Sequence, residues 1–155
     1  METTEIGSSK EQQLLITARN VTTEIVEVSK NLVRIKSNCA GRIEGSLYSG
    51  RYYDTVEATL MPDGTVTLKI RYIHFTDKGE AVWGYGTGTR GVTDGNGIAT
   101  LEAEGIGWTH QQRLSRLNGK NWTVDGKYDT IRESFEVVHK FMQHPRSYST
   151  GGTSP

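Results

Sequence analysis

Hydrophobic and polar residues alternate with a period of two along most of the chain, which is typical of β-strands with one buried face. The clearest series on one face consists of Val66, Leu68, Ile70, Tyr72 and His74. A second series just upstream consists of Tyr52, Asp54, Val56, Ala58 and Leu60. Pro62-Asp63-Gly64 lies between them, and this tripeptide predicts a tight hairpin because proline presets one turn residue and glycine accepts positive φ.

Turn sequences recur about every ten residues, with short alternating segments between them. The later turns are Thr76–Gly79, Asp94–Gly97 and Leu117–Lys120. They predict strands at Glu80–Arg90, Ile98–Trp108 and Asn121–Tyr128. Earlier in the chain, the predicted strands are Thr22–Val28, Leu32–Lys36 and Arg42–Ser49. About eight strands in one small domain predict an all-β, antiparallel up-and-down meander closed into a small barrel, because closure removes the strand edges.

The two ends of the chain differ from this pattern. Residues 1–12 are polar and predict a flexible segment, and residues 144–155 have little apolar content and predict a disordered tail. The single barrel domain is then 13–143. Ser8–Glu11 resembles a capping box that leads into a short helix with Leu14, Leu15 and Ala18.

Residues Asp129–Gln143 fit two structures. As a strand, they place Ile131, Phe135, Val137, His139 and Phe141 on one face. As a helix, they begin with a capping box at Thr130 and Glu133 and end before Pro145. We favour the strand because the preceding chain is β throughout.

Composition narrows the classes of function. The chain has 155 residues, with 18 Lys and Arg against 18 Asp and Glu, so its formal net charge is zero. This argues against a nucleic-acid-binding protein and a basic membrane-surface module, both of which need surplus positive charge. Cys39 is the single cysteine, so an intrachain disulfide is excluded and a cytoplasmic location is expected. Its neighbours supply no base, which indicates a small buried or half-buried residue.

Glycines alternate along one predicted strand at Gly84, Gly86 and Gly88. A phosphate-binding glycine loop needs a helix directly after it, and none is predicted here. In a sheet, such glycines either leave room inside the barrel or mark a sharp corner. The sequence leaves both alternatives open.

Candidate chemistry rests on polar side chains that continue apolar faces. His74, His139 and Asp54 do so, and a carboxyl group on an inward face has a raised pKa that suits a general base or acid. These three residues are the predicted catalytic groups. The histidine spacing supports no metal site, and no cofactor is expected. Aromatic residues in the predicted strands are candidate ligand contacts, namely Tyr72, Tyr52, Trp83, Tyr85 and Trp108.

The pattern over residues 40–141 resembles the small β-barrels of the calycin-like and allene-oxide-cyclase-like kind, including uncharacterised bacterial members. Gly84–Gly91, the turn Asp94–Gly97 and the segment Leu117–Tyr128 carry the resemblance. The Gly-x-Trp motif expected near the first strand of a lipocalin is missing, so no catalytic residues are transferred. The resemblance implies a barrel with a small-molecule cavity and, in some relatives, cyclase or isomerase chemistry.

The sequence therefore predicts a barrel that binds a small apolar or amphipathic molecule. An enzyme version would be a cofactor-free cyclase or isomerase. The alternative is a non-enzymatic interaction module whose solid core leaves function to loops or to a homo-oligomer interface. No nucleic acid or membrane partner is expected.

Overall fold

The computed structural model describes residues 13–142, which form a closed barrel of eight antiparallel strands in sequence order. The strands are β1 (Gln13–Val28), β2 (Val33–Glu44), β3 (Gly50–Leu60), β4 (Val66–Thr76), β5 (Ala81–Arg90), β6 (Ile98–Thr109), β7 (Lys120–Asp129) and β8 (Ser134–Phe141). β1 pairs with both β2 and β8, which closes the barrel. The predicted all-β meander of eight strands is confirmed.

The chain enters the barrel differently from the prediction. Leu14, Leu15 and Ala18 belong to β1, so the short helix predicted over them is wrong. The segment Arg42–Ser49 is not one strand, because β2 ends at Glu44 and a connection covers residues 45–49. The proposed flexible and disordered ends, with the capping box at Ser8–Glu11, lie outside the described residues.

The last strand follows the alternative that we favoured. Phe135, Val137, His139 and Phe141 share the inner face of β8, and residues 130–133 form the turn before it. Ile131 is exposed in that turn rather than on the inner face. The strand is selected because it pairs with β1 and β7, which no helix could do.

The two ends of the barrel are built differently. Hairpins join β1 to β2, β3 to β4, β5 to β6 and β7 to β8 at one end, which we call the hairpin end. At the opposite end, a short 3-10 helix, Gln112–Leu117, precedes β7, and the sequence did not predict it. Leu114 and Leu117 of this helix are buried with Leu47 and Tyr48. These side chains fill and close that end of the barrel.

Paired glycines of β5 and β6 face the barrel interior and make room for two large rings. Gly84 pairs with Gly107, and Gly86 pairs with Gly105. A Cβ atom added at Gly84 or Gly107 would lie 2.6 Å from Tyr72 Oη, and one added at Gly86 would lie 2.5 Å from Trp122 Cη2. The glycines therefore leave space inside the barrel, and the Tyr72 and Trp122 rings occupy it.

This packing predicts a cost for any side chain at Gly86. We expect Gly86→Ala to lower the free energy of unfolding by about 2 kcal/mol, since the added methyl group overlaps both the Glu104 carbonyl oxygen of the paired strand and the Trp122 ring. Gly95→Ala is the matched control, because a Cβ at Gly95 meets no atom within 4 Å. Urea denaturation of both variants measures the difference. Equal stability of the two variants would contradict the packing role of Gly86.

Candidate functional site

The barrel interior contains a cavity of about 90 Å³ on the side of the hairpin end. Its wall comes from all eight strands, and no residue of the connections at the closed end lines it. Most of the wall is apolar, with side chains such as Ile16, Ile35, Val56, Leu68, Val124 and Phe135. A cavity of this size and character accommodates a small apolar group in addition to any ordered water.

Asp54 supplies a carboxyl group to this apolar wall. It is 7% exposed and lies on the inner face of β3. The Tyr52 hydroxyl donates a hydrogen bond to Asp54 Oδ2, whereas Asp54 Oδ1 is buried with no partner. Tyr52 and Asp54 are two residues apart on one strand, so the alternation of β3 alone brings them to the same face.

Burial controls the protonation of Asp54. Desolvation raises its pKa from 3.8 to about 6, because the charged form loses its hydration inside the barrel. Tyr52 and Cys39 act in the opposite direction and stabilise the carboxylate. Asp54 can therefore exchange a proton near neutral pH, which suits a general acid or base.

Two histidines lie next to each other deep in the barrel. His74 and His139 are 0% and 2% exposed, and their ring centroids are 5.5 Å apart. Burial lowers the pKa of His74 well below 6.5 and that of His139 to about 3. Both imidazoles are therefore neutral at physiological pH, so they serve as hydrogen-bonding groups rather than as cations.

Tyr48 fixes the orientation of one of these rings. Its hydroxyl lies 2.6 Å from His74 Nδ1. Burial raises the pKa of Tyr48, so the hydroxyl keeps its proton. If Tyr48 donates this proton to Nδ1, both groups at that contact are satisfied and His74 carries its own proton on Nε2. His74 Nε2 then becomes a buried donor without a partner.

Unpartnered polar atoms cluster around this histidine pair. Tyr72 Oη, Trp122 Nε1, His74 Nε2 and His139 Nε2 are all buried without a hydrogen-bond partner. The rings of Tyr72, Trp122 and His139 have centroids within 6.0 Å of one another, and all three residues line the cavity. Buried polar groups usually have partners. This ring cluster therefore has unused capacity to hydrogen-bond a water molecule or a polar atom of a ligand.

The structure separates the predicted site residues into two sets. Asp54, His139, Tyr52 and Tyr72 line the cavity, and His74 lies beside them in the core. Whether they catalyse or bind remains a prediction. The three other aromatic residues lie elsewhere.

Trp83, Tyr85 and Trp108, the other predicted ligand contacts, do not line this cavity. Gly84 and Gly86 occupy the inner face of β5, so Trp83 and Tyr85 face outward, and Tyr85 is 58% exposed. Trp108 pairs with Trp83 on the outer face of β6. The sequence showed that aromatic residues alternate with glycines on β5 but left open which face is inward, and the structure places the glycines inside.

Sequence analysis missed the polar residues near the hairpin end of the cavity. Arg90 and Tyr128 line it, with the Arg90 guanidinium 4.0 Å from the centroid of the Tyr128 ring. Cys39 also lines it and is buried, as expected, and its thiol donates to Asn20 Oδ1 at 3.1 Å. Arg90 shares its face of β5 with Gly84, Gly86 and Gly88. This alternation is the sequence signal that could have placed Arg90 beside the cavity.

Between residues 13 and 142, no three His, Cys, Asp or Glu side chains come together as metal ligands would. No helix within that range has the length and apolar character needed to cross a membrane.

Comparison with known proteins gives similarity in structure only. No protein-family model and no curated protein matches the chain. A conserved protein of unknown function from Rhodopseudomonas palustris has 16% identity and a TM-score of 0.67 over 83% of this chain and 94% of its own. A protein of unknown function from Clostridium acetobutylicum has 17% identity and a TM-score of 0.68 over 84% of this chain and 94% of its own. An enzyme from Penicillium herquei has 16% identity and a TM-score of 0.57 over 83% of this chain and 92% of its own. These similarities establish a shared barrel fold.

The raised pKa of Asp54 predicts a specific dependence of stability on pH. The folded protein binds this proton more tightly than the unfolded chain does, so the contribution of Asp54 to the free energy of unfolding falls as pH rises from 4 through about 6. His74 and His139, whose pKa values are lowered, act in the opposite direction, so the contribution of Asp54 is read from the difference between wild type and Asp54→Asn. The contribution is about 3 kcal/mol. We expect Asp54→Asn to gain stability relative to the wild type over that interval, as measured by urea denaturation at each pH.

The variant Tyr52→Phe provides an independent check of the same group. Loss of the Tyr52 hydrogen bond removes stabilisation of the carboxylate, so the pKa of Asp54 should move above 6. The carboxyl stretching band in infrared spectra reports this pKa directly. If the free energies of unfolding of the wild type and Asp54→Asn changed with pH in parallel, Asp54 would have its ordinary pKa and the prediction would be wrong.

Proposed function

We propose that this protein binds a small, mostly apolar molecule in the barrel cavity and acts as a cofactor-free isomerase or cyclase. Asp54 is the general base and acid of this proposal. The observation that carries it is a buried carboxyl group, with one oxygen bonded to Tyr52 and the other unpartnered, in the wall of an apolar cavity. The resemblance to calycin-like and allene-oxide-cyclase-like barrels agrees with this proposal.

The proposed step conserves all atoms. The Asp54 carboxylate takes a proton from an acidic C–H or O–H group of the bound molecule. The electron pair left behind moves a double bond or attacks a second carbon and closes a ring. The protonated Asp54 then returns the proton to another atom of the same molecule, so no cofactor or co-reactant is consumed. The cavity wall contributes by holding the substrate close to its reactive conformation.

The ring cluster supports this step as a source of neutral hydrogen bonds. Negative charge that develops on a substrate oxygen is stabilised by fixed donors in a site with little water. Tyr72 and Trp122 carry such donors, and His139 is neutral. The Tyr72 hydroxyl and the Trp122 indole N–H interact only with each other, and His139 Nε2 has no partner, so a ligand oxygen would find donors that no other group of the wall occupies.

The surface around the hairpin end suits the entry of an apolar ligand. Ile25, Val28, Leu60, Met61 and Val92 are exposed there, on strand ends or in the hairpins. Exposed apolar patches of this kind often mark binding sites.

A nitrobenzisoxazole tests the proposed base directly. Its ring opens when a base removes one C–H proton, which breaks the N–O bond and releases a coloured cyanonitrophenolate. We expect the wild type to accelerate this reaction with a rate that rises through about pH 6, as Asp54 ionises. Asp54→Asn should lose about a hundredfold or more of the acceleration.

The matched control is Asp125→Asn, which changes an exposed carboxylate of β7. It should retain the wild-type rate. Equal rates for wild type and Asp54→Asn, or a rate that does not change with pH near 6, would contradict a base role for Asp54.

Native mass spectrometry tests the binding half of the proposal. We expect an extra, non-covalent mass on the purified protein that disappears on denaturation. Val56→Trp should reduce this occupancy because its larger ring fills the cavity, whereas Thr87→Trp, on the outer face of β5, should not. Undiminished occupancy in Val56→Trp would show that the molecule binds elsewhere.

A further inference from the structure

Arg90 is a cation in the wall of a mostly apolar cavity. It is the last residue of β5 and is half-buried at the hairpin end. Among the residues that line the cavity, only Arg90 and Asp54 carry side chains of formal charge at neutral pH. Removing a guanidinium from water is costly unless a partner compensates it.

No carboxylate of the described chain compensates Arg90. The ion pairs found within residues 13–142 join Arg34 to Glu27, Arg42 to Asp77, Arg71 to Glu57 and Arg113 to Glu80. Asp54 does not reach Arg90 within ion-pair distance. Its hydrogen-bonded oxygen is turned to Tyr52 instead.

The contact with Tyr128 uses only part of the binding capacity of the Arg90 guanidinium. The guanidinium carbon lies 4.0 Å from the ring centroid, which is a cation–π contact, and the guanidinium also hydrogen-bonds the Tyr128 side chain. A guanidinium has five N–H donors, and two of them match the two oxygens of a carboxylate. The contact with Tyr128 therefore holds Arg90 at the cavity wall and leaves donors for an oxyanion.

Strand register separates Arg90 from Asp54. Arg90 pairs with Val66 of β4, whereas Asp54 pairs with Tyr72 of the same strand. Six residues along β4 correspond to about 20 Å between the backbones of Val66 and Tyr72. The Arg90 and Asp54 side chains line the same cavity, so a group bound by Arg90 would leave room for a short apolar stretch of the ligand before Asp54.

We infer that the ligand of this barrel is a small apolar carboxylate, whose carboxylate binds Arg90 at the hairpin end while its apolar body extends toward Asp54. This inference deepens the proposed function and rests on it, because both need a ligand in the cavity. The positive charge of Arg90 is felt within the cavity, since it opposes the burial that raises the pKa of Cys39.

Paired neutral and charged probes test this inference. Straight-chain carboxylates from butanoate to dodecanoate are titrated beside their primary amides by isothermal calorimetry. We expect at least one carboxylate to bind the wild type tenfold or more tightly than its amide. Arg90→Gln should abolish this preference and leave the affinity for the amide unchanged.

Two further variants separate charge from fold. Arg90→Lys keeps the positive charge but loses the two-pronged donor edge, so it should retain only part of the preference. Arg71→Gln removes an exposed arginine on the outer face of β4 and should bind like the wild type. Circular dichroism of Arg90→Gln checks that the barrel is intact.

The outcomes distinguish the two proposals. Carboxylates and amides that bind the wild type equally would overturn the role of Arg90 and leave the apolar cavity as a binding site. A preference for carboxylates that persists in Arg90→Gln would also overturn it. If no member of either series binds, both the anionic ligand and the proposed binding cavity are wrong.

Discussion

The close approach of two rings to paired glycines is the contact on which the barrel interior depends. Tyr72 and Trp122 pack edge to face at 80° and occupy space that Gly84, Gly86, Gly105 and Gly107 leave free. Side chains at those positions would displace the rings into the cavity. The glycines of β5 and β6 therefore determine how much of the interior is filled and how much remains available to a ligand.

Buried polar groups without partners set the site apart from an ordinary core. Asp54 Oδ1 and the unpartnered atoms of the ring cluster all lie inside one small barrel. Each such group costs free energy in the unliganded protein, and residues that lower stability in this way are typical of functional sites. A solid interaction module would be more stable with apolar residues at these positions. The arrangement therefore gives the interior hydrogen-bonding groups that a core serving packing alone would not need.

The alternation of hydrophobic and polar residues with a period of two determined most of what the sequence could predict. On β3 and β4, the apolar series placed Asp54, Tyr72 and His74 on one face of each strand, and in the structure that face is the inner one. On β5, aromatic residues alternated with glycines, and the sequence left open which of the two faces is inward. The decisive factor was the bulk of Tyr72 and Trp122 on neighbouring strands, which local sequence does not reveal. The sequence did not predict the 3-10 helix before β7. Its Leu114 and Leu117 are buried because they close one end of the barrel, and that end forms only when distant strands come together.

The two charged residues of the cavity make different demands on a ligand. Asp54 is bonded to Tyr52 and has a pKa near neutrality, so its charge can appear and disappear during a proton transfer. An arginine guanidinium is a permanent cation, so a permanent anion is the ligand group that would complement Arg90. Salt bridging between the two would cancel both properties, and the strand register holds them apart. A fixed charge for orientation and a titratable group for chemistry can therefore act on opposite ends of one apolar molecule.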